Sequence, residues 1–132
     1  MRINTFIVAL AFLMLFVPAF SHAQQKKVID EKVAQVHEKF ASELKMENAK
    51  LAEVDEIFTD FYTQQERIRE NIQKPATTPS LAQGFAGQDF QNVRKQNENI
   101  INYRDEKLKR VLSADQFKKW KDEIEPSLRS RR

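Results

Sequence analysis

Residues Asn48 to Gln73 read NAKLAEVDEIFTDFYTQQERIRENIQ, and this stretch decides the fold. Its seam runs Leu51, Val54, Phe58, Phe61, Gln65, Ile68 and Ile72, in steps that alternate three and four residues, with Gln65 as the one polar member. That spacing places one helix face along a heptad seam. Ile57 and Tyr62 widen the seam into a face broad enough for more than one partner helix. Asn48 is suited to cap the first turn, because its short side chain can accept from exposed backbone N–H groups. Lys74-Pro75 ends the helix, since the proline ring disfavours the α conformation in the residue before it.

Working outward toward the N-terminus, Ile29, Val33, Val36, Phe40 and Leu44 mark a first helix from about Val28. On the other side, residues 74–88 read as a loop carrying Pro75, Pro79, Gly84 and Gly87, together with the apolar Leu81 and Phe85. A third helix is expected from Asp89, with Phe90, Val93, Asn97, Ile100, Ile101, Leu108, Val111 and Leu112 on its face. Asn97 and Arg104 interrupt that seam. Asp105 with Lys109 and Glu106 with Arg110 are acid-before-base pairs four residues apart, a spacing that supports a helix. Ser113-Ala114-Asp115-Gln116 fits the S-x-x-Q capping box, whose two ends satisfy each other's backbone amides. It opens a fourth helix with Phe117, Trp120 and Ile124 inward. Pro126 is expected to stop that helix and leave residues 126–132 as a basic tail.

The composition agrees with an all-α reading. The 132-residue chain has room for one domain, with 2 Gly and 4 Pro against 10 Phe and 31% charged residues. No stretch matches G-x-x-x-x-G-K-[ST] or G-x-G-x-x-G, which argues against ATP or NAD chemistry. With no cysteine, disulfides, thiol catalysis, iron–sulfur clusters and Cys–zinc sites are excluded.

The N-terminus carries an export signature. Met1-Arg2 precedes an uncharged apolar run of 12 residues, Phe6 to Val17, which is short of the roughly 20 a spanning helix needs. Pro18 breaks the run, and Ser21-His22-Ala23 has small residues at a cleavage-type spacing. Residues 1–23 therefore read as a cleaved signal peptide and 24–132 as one helical domain, exported to the periplasm. The charge of that domain is uneven: residues 24–73 hold 8 basic and 11 acidic side chains, while 74–132 hold 13 and 8. The positive half suits anionic protein segments or headgroups. Without a dense basic cluster interleaved with aromatics it is a weak nucleic-acid signal, and no nucleic-acid partner is expected.

Helices two and three, each about 24 residues and roughly 36 Å long, are expected to form a long antiparallel hairpin with short flanking helices. Ile57, Phe58, Phe61 and Tyr62 span more of the helix than one neighbour covers, so a symmetric homodimer is the expected cover.

The order of helices and the run Val111-Leu112-Ser113-Ala114-Asp115-Gln116 resembles the exported Spy/CpxP family, whose hallmark is an LTxxQ motif opening a helix. Leu112, Ser113 and Gln116 match it, with Ser in place of Thr. A second copy would fall at Leu44 to Lys50 and is degenerate: Met46, Glu47 and Lys50 stand where Leu, Thr and Gln are expected. The resemblance implies a cradle-like helical dimer, ATP-independent binding of unfolded envelope proteins, and a link to envelope stress. The same surface would serve a regulator docking on the sensor domain of a membrane protein, or a non-catalytic structural envelope protein.

Leu81 and Phe85, which no helical stripe explains, and the basic Arg129, Arg131 and Arg132 are the candidate client contacts, while Leu112, Ser113 and Gln116 read as a structural cap. Trp120, three residues from Phe117, reads as a packing residue. His37 is the one histidine left after cleavage, and with no cysteine beside it no metal site is expected. Asp55, Glu56 and Asp60 are carboxylates of an ordinary helix surface, so neither catalysis nor a cofactor is expected.

Overall fold

The computed structural model describes residues 18–73 and 88–130, and every regular element among them is helical. Helix α1 spans Pro18–Glu43, α2 Asn48–Gln73 and α3 Gln88–Val111. A C-terminal segment follows as α4 (Ala114–Lys119), a π-turn (Trp120–Ile124) and α5 (Glu125–Arg129). Helix α1 is already formed at Pro18, the first described residue, ten residues before the expected Val28. Among the described residues no helix is long and apolar enough to cross a membrane.

Helix α2 packs against both α1 and α3. Its pairs with α1 run in opposite directions along the two helices: Gln25 bonds Glu70, Lys32 lies 3.7 Å from Glu66, and His37 meets Asp55 at 2.9 Å. On the other side Asp60 faces Lys107 at 4.0 Å, and the Arg104 guanidinium lies 4.5 Å from the Phe61 ring centre. The link from α1 to α2 turns through Lys45, whose φ of 49° lies in the left-handed region that favours glycine.

Among the described residues one core forms, where α1 turns into α2 and α3 into α4. It contains Val36, Phe40 and Leu44, then Met46, Leu51, Val54, Ile57, Phe58 and Phe61, then Leu108 and Leu112, and finally Trp120 and Ile124. Phe40, Phe58 and Trp120 meet ring to ring at 5.2 to 5.8 Å, a range in which tilted and edge contacts are favourable. The large side chains that stay exposed fall elsewhere: Val28 in the first half of α1 (40%), Ile72 in the last turn of α2 (41%), Phe90 in the first turn of α3 (68%) and Tyr103 (50%).

Two expectations are corrected. The broad face of α2 is covered within a single chain: Ile57, Phe58 and Phe61 are buried and Tyr62 half-buried, because α1, α3 and the C-terminal segment close around them. Nor does Pro126 stop the last helix. A proline lacks the N–H for a regular helical bond and its ring crowds the carbonyl four residues back. The chain widens by one residue ahead of it, with the Glu125 N–H donating to the Trp120 carbonyl, and then resumes as α5. The expected free tail from 126 is thus helical to Arg129.

Candidate functional site

The capping box is built as its residue types dictate. The Ser113 hydroxyl accepts from the Gln116 N–H at 3.2 Å, and the Gln116 side-chain oxygen accepts from the Ser113 N–H at 3.0 Å. The amide end of the same Gln116 side chain donates to the Leu44 carbonyl at 3.3 Å, and Lys119 Nζ donates to the Glu43 carbonyl at 3.1 Å. Those carbonyls end α1, where the helix has no internal donors left and a cation is favoured. The motif therefore caps α4 and ties it to the end of α1. Leu112 lies in the core.

The π-turn sets the other half of the site. Five residues at 3.6 per turn would put Glu125 about 140° round from Trp120. The wider turn rotates it back, so Trp120, Ile124 and Glu125 are all buried on one side. There Glu125 meets Arg104, which is only 5% exposed and lies within 6 Å of the rings of Phe58, Phe61 and Trp120. Arg104 donates to Asp105 at 2.7 and 2.9 Å and to Glu125 at 3.3 Å. Lys121 bridges Asp105 (2.9 Å) and Glu125 (2.8 Å), and Arg129 closes on Glu125 from the solvent side.

The electrostatics follow from this crowding. Burial pushes the Glu125 carboxyl up, but the hydrogen bonds from Lys121 and Arg129 and the charge of Arg104 outweigh it and hold it below the ordinary glutamate value. Burial would lower the Lys121 ammonium, yet its bonds to Glu125 and Asp105 raise it. Tyr62 is raised by burial, partly offset by Arg104. The Trp120 indole N–H has no acceptor among the described residues.

A second polar cluster braces α1 on α2. The buried Glu66 lies between Lys32 and Arg69, and Lys32 also covers the Tyr62 ring at 5.3 Å. His37 Nδ1 contacts both Asp55 oxygens at 2.9 and 3.0 Å, in an open hollow of about 310 Å³ lined by Asp30, Val33 and Ala34. Among the described residues no three metal-ligating side chains come together.

Of the candidate contacts, Leu81, Phe85, Arg131 and Arg132 lie outside the described residues. Arg129 is engaged with Glu125 rather than free, because α5 continues where a loose tail was expected. The Asp105–Lys109 pairing is replaced: Asp105 turns to Arg104 and Lys121, while Lys109 covers the Phe117 ring at 5.3 Å. Arg104, which reads as a break in the α3 seam, is the centre of the cluster. Its signal in the sequence is position: an inward-facing arginine needs a buried acid, and Glu125 reaches it only through the π-turn. Comparison with known protein families, with characterised proteins and with solved structures finds no match to this chain.

Proposed function

We propose that this chain is an exported helical binding protein that holds partly unfolded polypeptides without catalysis, nucleotide or cofactor, in the manner of the Spy/CpxP proteins its Leu112-Ser113-Gln116 motif resembles. In this reading α2 and α3 run antiparallel as a hairpin with α1 along it, which sets Val28, Ile72 and Phe90 at one end. The observation that carries the proposal is the exposure of those three side chains, above all Phe90 at 68%, on helices whose opposite ends form a closed core. Arg69 and Arg94, exposed on the neighbouring turns of α2 and α3, are each paired with a glutamate, Glu66 and Glu98, so the positive charge in this reading is the excess of residues 74–132, 13 basic against 8 acidic. Charge draws in an anionic segment and apolar contact holds it. With the α2 face covered within one chain, a homodimer in this reading rests on the open end alone.

An aggregation assay tests the proposal. Residues 24–132 should keep an unfolded model client in solution at near-stoichiometric ratio. No suppression, together with one tight and specific partner in a pull-down, would replace the chaperone by a regulator docked on that partner.

A further inference from the structure

Residues 113–130 add only Trp120 and Ile124 to the buried apolar core; its other members come from α1, α2, α3 and the short links that follow α1 and α3. The segment is fastened at two places. Gln116 and Lys119 tie its start to the end of α1, and Glu125 and Lys121 tie its far half to Arg104 and Asp105 of α3. One residue, Leu112, joins it to α3.

Glu125 is the member of this arrangement whose charge decides the balance. From α3 it is faced by Arg104 and Asp105, from α2 by Tyr62, and from its own segment by Lys121 and Arg129. From α1, Glu38 and Lys39 border the neighbouring Leu128. With Glu125 ionised, three cations meet two carboxylates around the aromatic seat. With Glu125 neutral, Arg104 and Lys121 are left with Asp105 alone and Arg129 loses its carboxylate, and Arg104 is too buried for water to replace the lost partner.

We propose that residues 113–130 form a strap that detaches from α1–α3 as a unit when Glu125 loses its charge, uncovering Phe40, Phe58 and the inner face of Trp120. A group whose folded pKa is depressed stabilises the bound state above its unfolded pKa, and that stabilisation is lost as pH falls through the folded value. Detachment therefore falls on the acid side of the ordinary glutamate range. The use of the uncovered rings to hold a client rests on the function proposed above; the detachment does not.

Trp120 is the only tryptophan in the chain, so its fluorescence reports the strap. The purified protein is titrated with acid while Trp120 emission, acrylamide quenching and helical circular dichroism are followed together. The strap requires emission to move to the red and quenching to rise while most of the helical signal remains, and requires Glu125→Gln to show that state already at pH 7. The exposed neighbour Glu123, changed to Gln, should titrate like the parent. Loss of fluorescence and helix in one shared transition overturns the proposal. So does a Glu125→Gln protein that keeps the parent emission at neutral pH, or one that loses its three long helices along with the strap. Detachment without any gain in binding of an unfolded model client removes the client role and leaves the strap standing.

Discussion

Phe58→Ala is the substitution that most directly probes how the α2 face is covered. Phe58 is fully buried, with ring contacts to Phe40 at 5.8 Å, Phe61 at 6.3 Å, Tyr62 at 6.0 Å and Trp120 at 5.2 Å, and Arg104 lies 5.8 Å above it. Truncating a buried Phe costs about 3 to 5 kcal/mol through lost transfer energy and the cavity left behind. Phe58 belongs near the top of that range, because its neighbours come from three separate elements and cannot collapse together into one void. Against a typical stability of about 5 to 15 kcal/mol, the loss lowers the melting temperature by roughly 15 °C or more. Urea unfolding of the parent and the variant, each at two protein concentrations about a hundredfold apart, gives the loss directly. If the ring is buried inside one chain, the loss is the same at both concentrations. A loss below about 1 kcal/mol, or one that grows on dilution, would mean that a second molecule covers this face.

Ser113→Ala should cost about 1 kcal/mol, the usual value of an N-cap, read by the same unfolding curves; full stability with lost client binding would make the motif a contact rather than a cap. Lys45→Gly should raise stability by up to about 1 kcal/mol, since a side chain at φ 49° carries a steric cost that glycine avoids; a lower melting temperature refutes that. Mass spectrometry of the protein from its native source should give an N-terminus at Gln24, and a mature chain beginning at Met1 would end the export reading.

The helices themselves were legible because their signal is local. The alternation of three and four along Leu51, Val54, Phe58 and Phe61 fixes a helix and its inward face before any partner is known, and Ser113 with Gln116 names its own bonds. What the pattern hides is how many neighbours share a face. Ile57 and Tyr62 announced a broad surface, and a second molecule was the simple cover; the chain instead folds Trp120 and Ile124 back onto it, and their inward stripe does not say which helix they pack against. Pro126 reads as a stop because proline ends most helices, yet a widened turn absorbs it and aims Glu125 at Arg104. The pairing of two charges 21 residues apart leaves no spacing rule in the sequence. His37 and Asp55 are hidden for the same reason, since they meet only once α1 lies along α2.

The measurement that bears most directly on the proposed function is suppression of client aggregation by the mature protein and by a variant carrying Ile72→Ser and Phe90→Ser. Both side chains are exposed, at 41% and 68%, so the variant should melt with the parent. The parent should hold an unfolded model client in solution near stoichiometric ratio, and the variant should need several-fold more protein for the same effect. A parent that suppresses nothing, or a variant that suppresses as well as the parent, would contradict the assignment of the open end as the binding surface.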